Sequence, residues 1–222
     1  MNIWDPFHPG AYFLHTALGL AGLLGAIIAL SATKGSERHI LAGRTFAVAA
    51  AAVAVTALTF SFESFAPMAI VSAVMTLSIV GSALLALRSK SPRVSAGELM
   101  TTILMGLVLL GLLYGVVVSV PQGGLLWIPL LLMALFSAAF LVNDIRFIKR
   151  DDAGRKLKRL PRHLSRMAFA FAIAVHEPFV IFADDLGIHP GLAYYGPFII
   201  WPVLVFFFNG RLKKKQILSV SA

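Results

Sequence analysis

The 222-residue chain is 59% hydrophobic and 13% charged, with a mean hydropathy of +0.86. A soluble domain is typically about half apolar and about a quarter charged, so this composition excludes an ordinary soluble fold and indicates a polytopic membrane protein. There is no cysteine, which excludes disulfides, thiolate metal sites and cysteine nucleophiles. A net charge of +9 could suit nucleic acid, but the basic residues sit in short segments between apolar runs, which is a topology signal instead.

The first ten residues, Met1 to Gly10, carry no basic n-region, so the first apolar run is expected to be retained as a spanning helix. A span needs roughly 20 mostly apolar residues to cross about 30 Å of hydrocarbon. Seven runs meet this, at about 11–33, 41–61, 66–87, 98–120, 124–146, 163–183 and 192–210. The expectation is an all-α fold of seven transmembrane helices in one membrane domain. The longest connection, about 147–162, reads as a short basic loop.

All 19 basic residues fall on one side of this arrangement. Lys34, Arg38 and Arg44 flank the first connection, and Arg88, Lys90 and Arg93 fill the third. Nine more, from Arg146 to Arg166, crowd the fifth, and Arg211 with Lys213 to Lys215 follows the last span. The opposite connections carry Asp5, Glu63, Asp184 and Asp185. The positive-inside rule then places the N-terminus outside and the C-terminus in the cytoplasm. Pro67, Pro92, Pro121 with Gly123 and Gly124, and Pro190 with Gly191 punctuate the turns. Trp4, Phe7, Tyr12, Trp127, Tyr194 and Tyr195 sit where an aromatic belt would lie.

Few groups inside these runs can do chemistry. His15 precedes Gly19, Gly22 and Gly25, which drift along one helix face. That face suits close helix packing, and it could also admit a flat macrocycle beside His15. At the inner boundary, His39 opens the second span, Asn143, Asp144 and Arg146 end the fifth, and His163 opens the sixth. Imidazole is the commonest protein metal ligand, and a carboxylate often orients it, so His39, Asp144 and His163 could share a metal. The alternative is that Asp144 pairs with Arg166 or Arg44 while both histidines face the headgroups.

His176 lies 13 residues beyond His163, about 20 Å along a helix, and so at a depth near His15. Two histidines at each of two levels is the pattern of a bis-imidazole membrane cytochrome binding haem b through His15, His39, His163 and His176. The helical angle between His163 and His176, roughly 140°, opposes a common face unless Pro178 bends the helix. Glu177 could serve a proton path or bond a carbonyl freed by Pro178. No lysine lies within a span, which excludes a retinal Schiff base.

Three pieces together carry a resemblance: His15 with its glycine-rich span, the segment Lys34 to Arg44, and Asn143-Asp144-Ile145-Arg146 with Arg162 to Met167. Their order and spacing resemble the bacterial membrane proteins catalogued as domain of unknown function 2306, over nearly the full length. The resemblance implies a multi-pass protein of the bacterial inner membrane, with His15, His39, Asp144, His163 and Arg166 at recurrent polar positions. His176 and Glu177 depart from that pattern.

Two functions follow. One is a haem- or divalent-metal-binding protein that moves electrons through its histidines. The other is a non-catalytic accessory subunit packing against other membrane-protein subunits, suited by small residues such as Ala47 to Ala54. A transporter using Glu177 and Asp144 is a third reading. The lipid bilayer is the expected partner, and nucleic acid is not.

Overall fold

The computed structural model describes residues 9–64, 67–88, 94–122 and 127–220. Trp4, Asp5, Phe7, Lys90, Pro92, Arg93, Gly123 and Gly124 lie outside this range, as do the side chains of Glu63, Arg88, Glu177, Pro190, Tyr194 and Arg211 to Lys215.

The described chain contains seven α-helices: α1 (Pro9–Ser31), α2 (Glu37–Ser64), α3 (Pro67–Arg88), α4 (Ala96–Ser119), α5 (Trp127–Ile148), α6 (Asp152–Ile181) and α7 (Pro190–Val220). A 3₁₀ turn, Val120–Gln122, follows α4. The architecture is all-α and of multi-pass membrane type. Five helices, α1 to α5, are long and apolar enough to cross a membrane. The other two differ from the expected spans for separate reasons. In α6 the first half is charged, and only Met167–Ile181 remains to be apolar. In α7 the apolar stretch is the shorter Tyr195–Phe208.

The expected loop over 147–162 is corrected by the structure. Helix α6 already begins at Asp152, capped by Asp151, whose carboxylate accepts from Gly154 N–H at 3.0 Å. Its 30 residues extend about 45 Å at 1.5 Å per residue. Arg155 folds back to donate to the Ile148 and Arg150 carbonyls at the end of α5 and pairs with Asp152. This tight cap replaces the loop, because cations suit the carbonyl end of a helix.

Other boundaries follow local chemistry. Lys34 Nζ donates to the Ala29 and Leu30 carbonyls at 2.9 and 2.7 Å, closing the end of α1. Ser95 and Glu98 form a reciprocal capping box at the start of α4. Gly187, at φ +62°, turns the chain out of α6, where a side chain would be strained.

Helices α1 and α2 pack closely along glycines. A Cβ on Gly25 would stand 3.0 Å from the Ala42 carbonyl oxygen, and one on Gly22 3.1 Å from Ala49 Cβ. Helix α3 contacts α2, α4 and α6, and α6 contacts α7. The core runs through Met75, Ile79, Met105, Val108, Phe140, Phe169 and Phe198. Ala47, Ala49 and Ala54 are buried within the chain itself. Phe136, Phe140, Phe169, Phe198 and Trp201 form a continuous ring cluster joining α5, α6 and α7. Because successive helices alternate in direction, the end of α1, start of α2, start of α4, end of α5 and first half of α6 gather at one basic end.

Candidate functional site at the basic end

Glu98, Asp144 and Arg166 at this end are buried, so each needs a partner. Asp144, on the last turns of α5, is fully enclosed. Its Oδ1 accepts from Arg162 Nε and Nη2 at 3.2 and 2.9 Å, and from Arg166 Nη2. Arg162 and Arg166 are four residues apart on α6, so they share a helix face and can grip one carboxylate. Arg166 is 1% exposed and also donates to the Phe140 carbonyl at 3.3 Å.

A second carboxylate completes the cluster. Glu98 is 1% exposed, and its Oε1 stands 3.8 Å from Arg162 Nη1. Its Oε2 accepts from Ser95 N–H at 2.8 Å, so the capping box of α4 fixes this carboxylate toward α6. Two guanidiniums and two carboxylates therefore form a formally neutral quartet tying α4, α5 and α6. The guanidiniums also stack on rings of α5: Arg162 lies 4.5 Å from the Phe147 centroid and Arg166 4.6 Å from that of Phe140. Helix α6 reaches α5 through these long side chains and through Phe169, whose ring packs on Phe136 and Phe140.

The histidines take separate places. His39 Nδ1 donates to the Ala29 carbonyl at 2.9 Å, while its backbone N–H donates to Ser36 Oγ at the start of α2. His163 Nδ1 donates to the Ala83 carbonyl of α3, also at 2.9 Å. A carbonyl can only accept, so in each neutral ring the proton is on Nδ1 and the lone pair on Nε2.

His15 Nδ1 bonds Thr56 Oγ1 at 2.7 Å on α2. The Thr56 hydroxyl is directed to the Ala52 and Val53 carbonyls, leaving its oxygen to accept from His15. His176 stacks on Phe198 of α7, with centroids 5.1 Å apart. The described contacts thus set His15 against α2 and His176 against α7. The α6 histidines look to different helices, as the helical angle between them requires.

Of the expected metal set, His39 is set against the Ala29 carbonyl of α1 and His163 against the Ala83 carbonyl of α3, while Asp144 is engaged by the two arginines. Among the described residues no group of three His, Asp or Glu side chains is placed to hold a metal ion. The glycine face of α1 is filled by α2 at Gly22 and Gly25. The groove left there, lined by Leu24, Gly25, Ile28, Arg38 and Thr45, lies toward the basic end, away from His15.

Glu98 and Arg162 are members of the quartet that sequence reasoning passed over. The Ser95-Ala96-Gly97-Glu98 spacing carried a signal, since Ser-x-x-Glu before an apolar run is a capping box. Arg162 had none that separated it from its basic neighbours. Comparison with family models, with curated proteins and with solved structures found no match.

Proposed function

We propose that the chain is a seven-span protein of a bacterial inner membrane, with its N-terminus outside, that holds a metal centre between His39 and His163 at its cytoplasmic end. The support is the tautomer of both rings. Each spends its Nδ1 proton on a helix carbonyl and keeps an Nε2 lone pair, the form in which imidazole ligates. The backbone carbonyls of Ala29 and Ala83 act as the orienting partners. The quartet one turn along α6 fixes the register of His163.

Two imidazoles would suit either haem iron or a divalent ion. Neither the α1–α2 groove nor the α5–α6–α7 cavity is lined by His39 or His163. A single ion needs no slot, so the geometry favours it over a macrocycle. Such a centre would supply electron transfer or Lewis acidity, and the chain's part would be to orient both rings.

Elemental analysis and an absorption spectrum of the untagged protein in detergent test this. About one equivalent of transition metal or haem is expected, lost in His39→Ala and His163→Ala and kept in His15→Ala and His176→Ala. A colourless, metal-free protein from cells supplied with haem and metals would overturn it. Co-migration of that protein with other subunits in native gels would favour the accessory reading.

A further inference from the structure

A cavity of about 320 Å³ opens between α5, α6 and α7 at the basic end. Five cations line it: Arg146, Arg150, Lys158, Arg162 and Arg166. Glu98 and Asp144 offset Arg162 and Arg166 through the quartet, but neither carboxylate lines the cavity. Arg146, Arg150 and Lys158 are exposed and remain in excess. Asn143 and Ser165 add neutral polar groups to the wall, and Phe140, Phe147 and Val205 form its apolar side.

Two guanidiniums of the quartet reach the same wall. Arg166 is 1% exposed and lines this cavity, yet its Nη1 has no hydrogen-bond partner among the described residues. Arg162 Nη1, also lining the cavity and with its side chain 8% exposed, likewise has no hydrogen-bond partner there. Both Nη1 atoms are closed off from solvent, as are the equally unsatisfied Glu98 Oε1 and Asp144 Oδ2 of the same quartet, so an anion in the cavity would meet the other faces of these side chains.

We propose that this cavity binds a phosphate group. Guanidinium forks match phosphate oxygens in pairs, and three uncompensated cations suit a multiply charged anion. The volume is at the lower end of the roughly 300–1,000 Å³ of small-molecule sites, so there is room for the phosphate and the first part of what carries it. Basic pockets between helices at a membrane boundary bind anionic lipid headgroups, and the apolar side of the wall allows an acyl chain to leave along Phe140 and Val205. A soluble phosphate offers the same group without the chain.

The test uses the full chain in nanodiscs. One arm places phosphatidic acid in a phosphatidylcholine bilayer, and the other titrates inorganic phosphate against phosphatidylcholine alone. Bound phosphate is read by native mass spectrometry and by thermal shift. The exposed pair Arg150→Ala with Lys158→Ala is expected to weaken binding at least about tenfold, from roughly 1 kcal/mol per basic residue. The control Lys149→Ala with Lys156→Ala removes the same charge away from the cavity and is expected to leave binding within about twofold. Saturable binding in the first arm only assigns a lipid headgroup, and in the second a soluble phosphate, and either supports the site. Equal losses in the two variant pairs, or no saturable binding in either arm, would overturn it.

Discussion

Asp144 carries the largest single-residue consequence in this chain. Two buried guanidiniums depend on its Oδ1, and removing one partner of a buried pair typically costs about 3–5 kcal/mol because the other charge is left unpaired. Asp144→Asn is expected to show that loss in denaturant or thermal unfolding in detergent. Combining it with Arg166→Met should cost less than the sum of the two single changes, since the double variant no longer buries the Arg166 charge. Additive costs would mean that the Asp144–Arg166 contact contributes little. Arg166→Lys is expected to restore little of the wild-type stability, because a lysine cannot reproduce together the contacts to Asp144 and the Phe140 carbonyl and the stacking on the Phe140 ring.

At the scale of the helix, glycine position separates contact from open space. Gly25→Val pushes a side chain onto the α2 backbone at Ala42 and Phe46, and backbone cannot yield as a flexible side chain can. The expected cost is about 1–3 kcal/mol, as for other overpacking changes. Gly19→Val meets nothing within 4 Å and should leave the melting temperature nearly unchanged. Similar losses for both would contradict the α1–α2 packing described above. The start of α4 offers a second check. Ser95→Ala removes one half of the capping box, is expected to cost about 1 kcal/mol, and frees the Glu98 carboxylate that faces Arg162. A Ser95→Asp change should restore the cap.

For the whole molecule, seven crossings require α6 and α7 to span as α1 to α5 can. Helix α6 places its shortened apolar segment against α3 and α7, so fewer of its residues need to be apolar than in a helix surrounded by lipid. The turn between α6 and α7 carries exposed Asp184 and Asp185. The chain has no cysteine, so one thiol can be placed at will. If both helices cross, an Asp185→Cys thiol is labelled by a membrane-impermeant maleimide from outside intact cells, and a Lys149→Cys thiol is not. Labelling of neither in intact cells and both after lysis would make α6 and α7 a hairpin that does not cross.

Composition and periodicity by themselves determined the membrane class, the helical architecture, five of the seven expected helices of membrane length, and the gathering of basic residues at alternate connections. These are properties of runs, and a run's apolar content is set by its own residues. The helical angle between His163 and His176 was also legible, because it depends only on spacing. Sequence spacing left two pairings for Asp144, one with His39 and His163 and one with Arg166 or Arg44. The tertiary structure chose the arginines, since α6 brings two guanidiniums on one face against the end of α5. It also showed that 152–162 is helix, that Glu98 joins from α4, and that Nδ1 of His39 and of His163 is tied to a carbonyl of a different helix. Each of these depends on side chains far apart in the chain meeting at one end of the bundle. Local pattern cannot specify such meetings, because the charge of Asp144 and its partners does not tell which of many nearby cations the packing will deliver.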